Sequence, residues 1–243
     1  MKTAKLKFDL AKLGECRDPR DASAYAIPEA AHYLQIPRAT LRSWVMGRHY
    51  QTSAGTRFFR PVIELPDTDV PLLSFFNLVE AHILNALRHD HNLRLDQIRK
   101  GLNYVAKHSS SHPLLDDRFE TDGKALFVRE ITSQLVDASA SGQVVMQHVL
   151  DAHLRRIERG SDRSVIRLYP FTRHRQLDEP KRIVIDPRVV YGRPALAGTC
   201  IATAVIAERY KAGESIDELA RDYGRTNLEI EEAVRCELSL EAA

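Results

Sequence analysis

Hydrophobic residues recur along the chain with a period that changes from place to place, and each change predicts an element. Phe75, Phe76, Val79, Ile83, Leu84 and Leu87 return at three- and four-residue intervals. So do Leu95, Ile98, Leu102 and Val105, and later Val145, Val149, Leu150, Leu154 and Ile157. That spacing puts apolar side chains on one stripe of a helix, so a mainly helical middle region is expected, its stripes buried against one another. Between the stripes, HPLLDDRFETDGKALFVRE holds an Asp-Gly pair flanked by Phe, Leu and Val, the pattern of a small hairpin. After Arg159-Gly160 come two β-like runs, VIRLYPF and KRIVID, then a segment rich in Gly and Pro, then three short helical patterns. Those last helices are expected to start at Thr199 or Thr203, at Ser215 and at Thr226, because such side chains accept hydrogen bonds from first-turn amides. Ser215 with Glu218 has the spacing of a capping box.

Upstream of the middle region the pattern is shorter and finer. Residues 1–22 form a charged arm ending in RDPRD; residues 23–65 hold two short helices and a hairpin, closed by Pro66 and Pro71. Ala26, Ala30, Ala31 and Leu34 make a first helix slim enough for close packing. Ile36-Pro37 makes the turn, and Leu41, Trp44 and Val45 give the second helix its buried face. Arg38, Thr40, Arg42 and Ser43 lie on its other side. The expected fold is therefore mainly α with small β-hairpins. Its divisions are an N-terminal arm (1–22), a helix-turn-helix with a hairpin wing (23–70), a helical middle region (71–165) and a C-terminal three-helix domain (166–243).

Charge adds a function to the second division. Between Ile36 and Val62 stand five arginines, at 38, 42, 48, 57 and 60, and no acidic residue. Guanidinium groups offer planar bidentate donors to phosphate and to guanine edges, and a helix that presents them fits the major groove of double-stranded DNA. An arginine-rich solvated face, or a helical pair used for protein contact, is the competing reading. The net charge of +2 conceals an asymmetry. Met1–Leu65 carries eleven Lys/Arg against six Asp/Glu, and Ile201–Ala243 five against ten. The last helix, with Glu229, Glu231, Glu232, Glu237 and Glu241 against Arg235, would be repelled by a duplex, which favours protein binding or dimerisation there.

Composition excludes several classes. Over 243 residues, 44% hydrophobic and 28% charged residues describe a globular protein with a real core. No apolar run is long enough to span a bilayer, and MKTAKLKFDLAKLGE has no continuous apolar leader segment, so a cytoplasmic location with no membrane partner is expected. Cys16, Cys200 and Cys236 have neither disulfide nor CxxC spacing and are expected to pack. His89, His91, His108 and His112 lie near one another without metal-site spacing, and Asp116, Asp117 and Asp162 lack a nucleophile motif. The Gly/Pro-rich segment lacks the spacing of a phosphate loop. No enzyme, cofactor or metal is expected.

Two resemblances sharpen the picture. Thr40-Leu41-Arg42-x-Trp44, followed by Gly55-x-Arg57-x-Phe59, resembles the winged helix-turn-helix of MerR-type regulators. The likeness implies a recognition helix in the major groove and a wing, about Tyr50 to Val62, on the flanking backbone. The implied DNA contacts are Arg38, Thr40, Arg42, Ser43, Arg48, Arg57 and Arg60. The stretch from Ile185 to Thr199, continued by Ile201, Ala212-Gly213, Ser215 and Leu219-Ala220-x-Asp222-Tyr223, resembles the domain of unknown function numbered 433, DUF433. With LSFFNLVEAHIL, TDGKALFV and RLYPFTR, the resemblance extends to long members of the VapB antitoxin class. It implies a type II toxin-antitoxin protein that neutralises a PIN-like ribonuclease toxin and, as a homodimer on operator DNA, represses its own operon. Arg188 and Arg193 are the implied toxin contacts, because arginine can pair with the metal-holding carboxylates of such a nuclease. A stand-alone MerR-like regulator, sensing a ligand or protein through its middle region, is the alternative.

Overall fold

Helices α1 (Ile27–Tyr33) and α2 (Arg38–Met46) form the expected helical pair in a computed structural model that describes residues 18–53, 55–89, 112, 114–115, 140–173 and 177–238. The slim first helix buries Ala30 and Ala31. Glu29 accepts a hydrogen bond from the Ala26 amide at its start. Between the helices Gln35 takes a left-handed φ of 53°, which lets the Ile36 amide bond back to Ala31 at 2.9 Å and buries Leu34 and Ile36 on either side. Leu41 and Trp44 are wholly buried beneath α2.

A wing follows. Strands β2 (Arg48–Thr52) and β3 (Gly55–Phe59) pair antiparallel, Arg48 opposite Phe59 and Tyr50 opposite Arg57. Gly47 joins α2 to the wing with a φ of 71°, and a Cβ there would stand 2.3 Å from the Phe59 carbonyl oxygen. Beyond the wing the amides of Val62 and Ile63 both donate to the Trp44 carbonyl, at 2.7 and 3.1 Å. Helix α2 and the wing are thereby fixed to each other at both ends of the hairpin.

Strand β4 (Leu72–Leu73) returns to pair with β1 (Tyr25–Ala26), Tyr25 opposite Leu73. Ala26 thus lies in a strand and not in the first helix. Helix α3 (Phe75–His89) then starts on a reciprocal pair: Ser74 Oγ accepts the Asn77 amide and Asn77 Oδ1 accepts the Ser74 amide, each at 3.1 Å. It packs against α4 (Ala140–Leu154). Ile157, placed by its spacing on the α4 stripe, instead opens strand β5 (Ile157–Arg159), paired with β6 (Val165–Leu168). The helix stops because the next residues turn: the Arg155 and Arg156 amides close on Asp151 and His153, and the Tyr169 amide takes the Arg156 carbonyl. One buried core runs from Tyr25 through α3 and α4 to Ile185, across the divisions drawn at residues 70 and 165. The helix expected over Leu95–Val105 lies outside the described residues, as does the hairpin after His112 apart from Leu114 and Leu115.

A second core begins at strand β7 (Ile183–Val184), which pairs with β8 (Ala195–Leu196). On this pair sit α5 (Thr203–Lys211), α6 (Ile216–Tyr223) and α7 (Asn227–Leu238), burying Ile206, Leu219, Ile230 and Ala233. The Ser215–Glu218 capping box forms, and Thr226 with Glu229 repeats it before α7. Of the two candidate starts for the first of these helices, Thr203 is where the helix begins, but Ala202 holds the cap position and no side chain caps it; the Thr203 hydroxyl instead donates to the Pro194 carbonyl at 3.1 Å. Seven α-helices and four small antiparallel strand pairs among the described residues make the mainly α fold with hairpins that the periodicity predicts. No helix among them is long and apolar enough to cross a membrane.

The two cores are joined by buried polar groups. Arg156, after α4, donates to the carbonyls of Tyr169, Pro170 and Glu179 and pairs with the Glu179 carboxylate at 3.2 Å. Glu179 accepts the Thr172 amide at 2.8 Å, and the Thr172 hydroxyl reaches Glu232 on α7. Arg173 pairs with Glu232 at 2.9 Å. Burial pushes the Glu179 carboxyl above its ordinary range despite those donors. Glu232, one of the acidic residues of the last helix, is buried here and accepts from Thr172, Arg173 and Arg235.

Candidate nucleic-acid interface

Arg38 and Arg42 are four residues apart, so α2 presents them on one exposed face. Thr40 is half-buried beside them. Ser43 is buried, and its hydroxyl donates to the Thr40 carbonyl at 2.8 Å, so this expected contact is turned inward. The cause is helical geometry: Ser43 adjoins Trp44 and falls toward the core side of the stripe. On the wing, side chains of opposed residues share a face. Arg48, Tyr50 and Arg57 are therefore together on one side, and His49 meets Phe58 on the other with ring centroids 4.9 Å apart. Arg48, Arg57 and Arg60 are exposed. Arg38, Arg42, Arg48 and Arg57 pair with no carboxylate among the described residues. Helix and wing thus carry unneutralised guanidinium groups on a rigid frame.

The second candidate site is the turn from Asp186 to Arg193. Asp186 is buried, accepts the Arg188 amide at 2.9 Å and pairs with the side chains of Arg167 at 2.8 Å and Arg188 at 3.2 Å. Burial alone would raise its carboxyl, but these donors outweigh it and hold the group below the ordinary carboxylate range. Arg188 remains 65% exposed above it. Arg193 is bound within the chain: its guanidinium meets Glu29 of α1 and lies 5.9 Å from the centroid of the Tyr25 ring. The Tyr25 phenol, pushed up to about 12 by burial and so kept protonated, donates to the Gly192 carbonyl at 2.9 Å. The sequence brings Arg188 and Arg193 into one turn, and the structure directs only Arg188 outward without a contact to the helix-turn-helix.

The chain matches the model of a "Putative DNA-binding HTH domain" over residues 23–102 and that of "Protein of unknown function (DUF433)" over residues 183–235. It carries a helix-turn-helix domain and a DUF433 domain. A curated relative, "Putative antitoxin VapB45" of Mycobacterium tuberculosis, is 27% identical over 231 residues, covering 88% of this chain and 93% of the relative. The crystal structure of Rv2018 from Mycobacterium tuberculosis superposes with a TM-score of 0.61 at 23% identity, over 88% of this chain and 98% of that one, and so shares the fold. The DUF433 match begins at the residue where the second core begins, Ile183. The helix-turn-helix match runs past β4 into α3, in keeping with the β1–β4 pairing and the shared core.

Elsewhere the titratable groups serve packing. His112 stands 3.2 Å from Glu80 and 3.6 Å from Asp21, whereas the side chains of His89, His91 and His108 are outside the described residues, as are Asp116 and Asp117. Asp162 accepts from the Ser164 amide and hydroxyl in the β5–β6 turn. Cys236 is buried as expected, and burial pushes its thiol up; Cys200, expected to pack, is exposed in the turn before α5.

Proposed function

We propose that this protein is the antitoxin of a type II VapBC-like pair. It binds operator DNA as a dimer through α2 and the wing, represses its own operon, and neutralises a PIN-like ribonuclease with its DUF433 half, in the cytoplasm and without catalysis of its own. The observation that carries the DNA-binding part is the set of exposed arginines at 38, 42, 48 and 57, with no carboxylate partner, on a helix and wing locked together through the Trp44 carbonyl. Such a surface releases counterions on meeting phosphates, and the helix can offer Arg42 to a base edge. Thr40 and Arg60 flank this set, while Ser43 contributes from within by holding the helix turn. The ribonuclease-binding part rests on likeness to a relative named as an antitoxin over nearly its whole length. Arg188 is its outward cation, and Arg193 supports the turn from below.

Co-purification with the product of the adjacent gene, followed by ribonuclease and operator-binding assays, tests the reading. A stable complex, suppressed cleavage and salt-sensitive operator binding are expected. Operator binding without any complex would assign the chain to stand-alone regulation.

A further inference from the structure

The wing carries one exposed ring that the fold itself does not use. Tyr50 and Phe58 are 41% and 48% exposed on the two strands of the hairpin, but they stand on opposite faces. Phe58 packs within the chain: it meets the His49 ring and comes 2.6 Å from where a Cβ of Gly47 would stand. Tyr50 has no such role. The phenols of Tyr25, Tyr33 and Tyr169 donate to the Gly192 carbonyl, to Glu29 and to Glu158, whereas that of Tyr50 bonds to no group among the described residues.

The setting of Tyr50 indicates what it meets. It stands opposite Arg57 across the hairpin, and Arg48 lies two residues before it on the same strand and face. Both guanidinium groups are exposed and pair with no carboxylate among the described residues. Toward the tip, the next residue of β3 on this face is Gly55, whose lack of a side chain leaves the ring unscreened. From Ile36 to Val62 there is no acidic residue, so nothing local repels an anion. Arginine brings charge to a polyanion; a phenol brings a neutral donor for a phosphate oxygen and a flat face for a sugar. We propose that Tyr50 is a DNA contact of the wing, its phenol donating to a backbone phosphate beside those that Arg48 and Arg57 neutralise and its ring lying against the adjoining deoxyribose. Given the operator-binding reading on which this rests, the wing gains a grip that salt does not weaken. Only neutralised charge releases counterions, so a neutral phenol adds affinity without adding to the salt slope.

Titrating the full chain onto a duplex from its own promoter region and onto a scrambled duplex, at several salt concentrations, tests this. Tyr50→Phe is expected to weaken binding about fivefold to tenfold on both duplexes, by the same factor at every salt concentration. Tyr50→Ala is expected to weaken it about thirtyfold, again with the slope of wild type, because the ring is lost as well. Arg57→Ala, by contrast, lowers the slope by about one. Gln51→Ala, on the opposite face of the same strand, is expected to bind within about twofold of wild type. Emission from Trp44, the single tryptophan and wholly buried beneath α2, should match wild type in each variant, as should the melting temperature, which separates a lost contact from a lost fold. If Tyr50→Phe binds DNA within about twofold of wild type while Arg57→Ala is weakened, the Tyr50 contact is overturned and the operator-binding reading stands. Weakening by Gln51→Ala equal to that by Tyr50→Ala would overturn the assigned face. If wild type binds neither duplex, both readings fall.

Discussion

The phenol of Tyr25 donates a 2.9 Å hydrogen bond to the carbonyl of Gly192, fastening the first strand of the helix-turn-helix domain to the turn between β7 and β8 of the DUF433 domain. Around this bond lie the Arg193–Glu29 ion pair and, farther along α1, His32 at 4.0 Å from Glu237 of α7. The approach is close enough that position 192 admits no side chain. Its φ is 76°, and a Cβ would stand 2.4 Å from the Tyr25 oxygen. Gly192→Ala should therefore destabilise the protein by about 2 kcal/mol, through strain at positive φ and displacement of the phenol. Tyr25→Phe should lose about 1 kcal/mol, the worth of one buried hydrogen bond. Thermal unfolding checks both, and a melting temperature equal to wild type in Gly192→Ala would show that the two domains are not held at this point.

In the proposed operator complex, Arg42 and Arg57 separate the two kinds of DNA contact. Arg57 on the wing is placed for phosphate, so Arg57→Ala should weaken binding to all sequences alike and lower the salt slope by about one. Arg42, in the middle of α2, is placed for a base edge, so Arg42→Ala should lose about 1–3 kcal/mol on the operator and less on unrelated DNA. Anisotropy titrations on operator and scrambled duplexes at several salt concentrations distinguish them; unchanged affinity in both variants would remove α2 and the wing as the DNA face.

Much of this architecture was legible because it follows from local rules. Ala30, Ala31, Leu41 and Trp44 announced a tightly packed helical pair, and Ser215 with Glu218 announced a helix start. The exposed arginines were legible from the absence of nearby acids, since no local partner could neutralise them. What was not legible depends on residues far apart in sequence. The pairing of Arg193, an implied toxin contact, with Glu29 is one such case, because the two stand far apart in sequence. Ile157 fitted a helical stripe because its spacing continued that of Leu150 and Leu154, whereas the backbone turns at Arg155 and Arg156. Tyr191 carried no signal at all: a left-handed tyrosine after a left-handed valine opposes local preference, so only the tertiary setting can reveal it.

Arg156 shows how strongly the hidden contacts bear on stability. It is buried with Glu179, its guanidinium lies 4.5 Å from the centroid of the Phe171 ring, and its donors satisfy three backbone carbonyls. Removing one member of a buried pair leaves the other charged and unpaired, which costs about 3–5 kcal/mol. Arg156→Ala should therefore unfold at markedly lower denaturant concentration. Arg235→Ala on α7, whose guanidinium is partly exposed and bonds Glu232 at 2.8 Å, should change stability by about 1 kcal/mol or less. Equal effects of the two substitutions, measured by chemical denaturation, would contradict the distinction.

Two histidines should give stability a maximum between acid and alkaline losses. His82 is buried; its Nε2–H donates to the His153 carbonyl at 3.2 Å, and burial, then the charge of His153, then that of Arg156, push its pKa well below the ordinary value. The folded chain thus binds fewer protons at this site than the unfolded chain, so stability must fall as pH drops below the unfolded value of about 6.5. His112 behaves oppositely. Burial resists its charge, but Glu80 and Asp21 outweigh that and raise its pKa, so its contribution is complete below about 6.5 and is lost as pH rises through the folded value. His82→Gln should flatten the acid limb by up to about 1.4 kcal/mol per pH unit, and His112→Asn should flatten the limb above about pH 6.5. Unfolding free energies measured from about pH 5 to about pH 8 decide it. An acid limb unchanged in His82→Gln would mean that the acid loss arises elsewhere, as at Asp186, whose donors hold its carboxyl below the ordinary range.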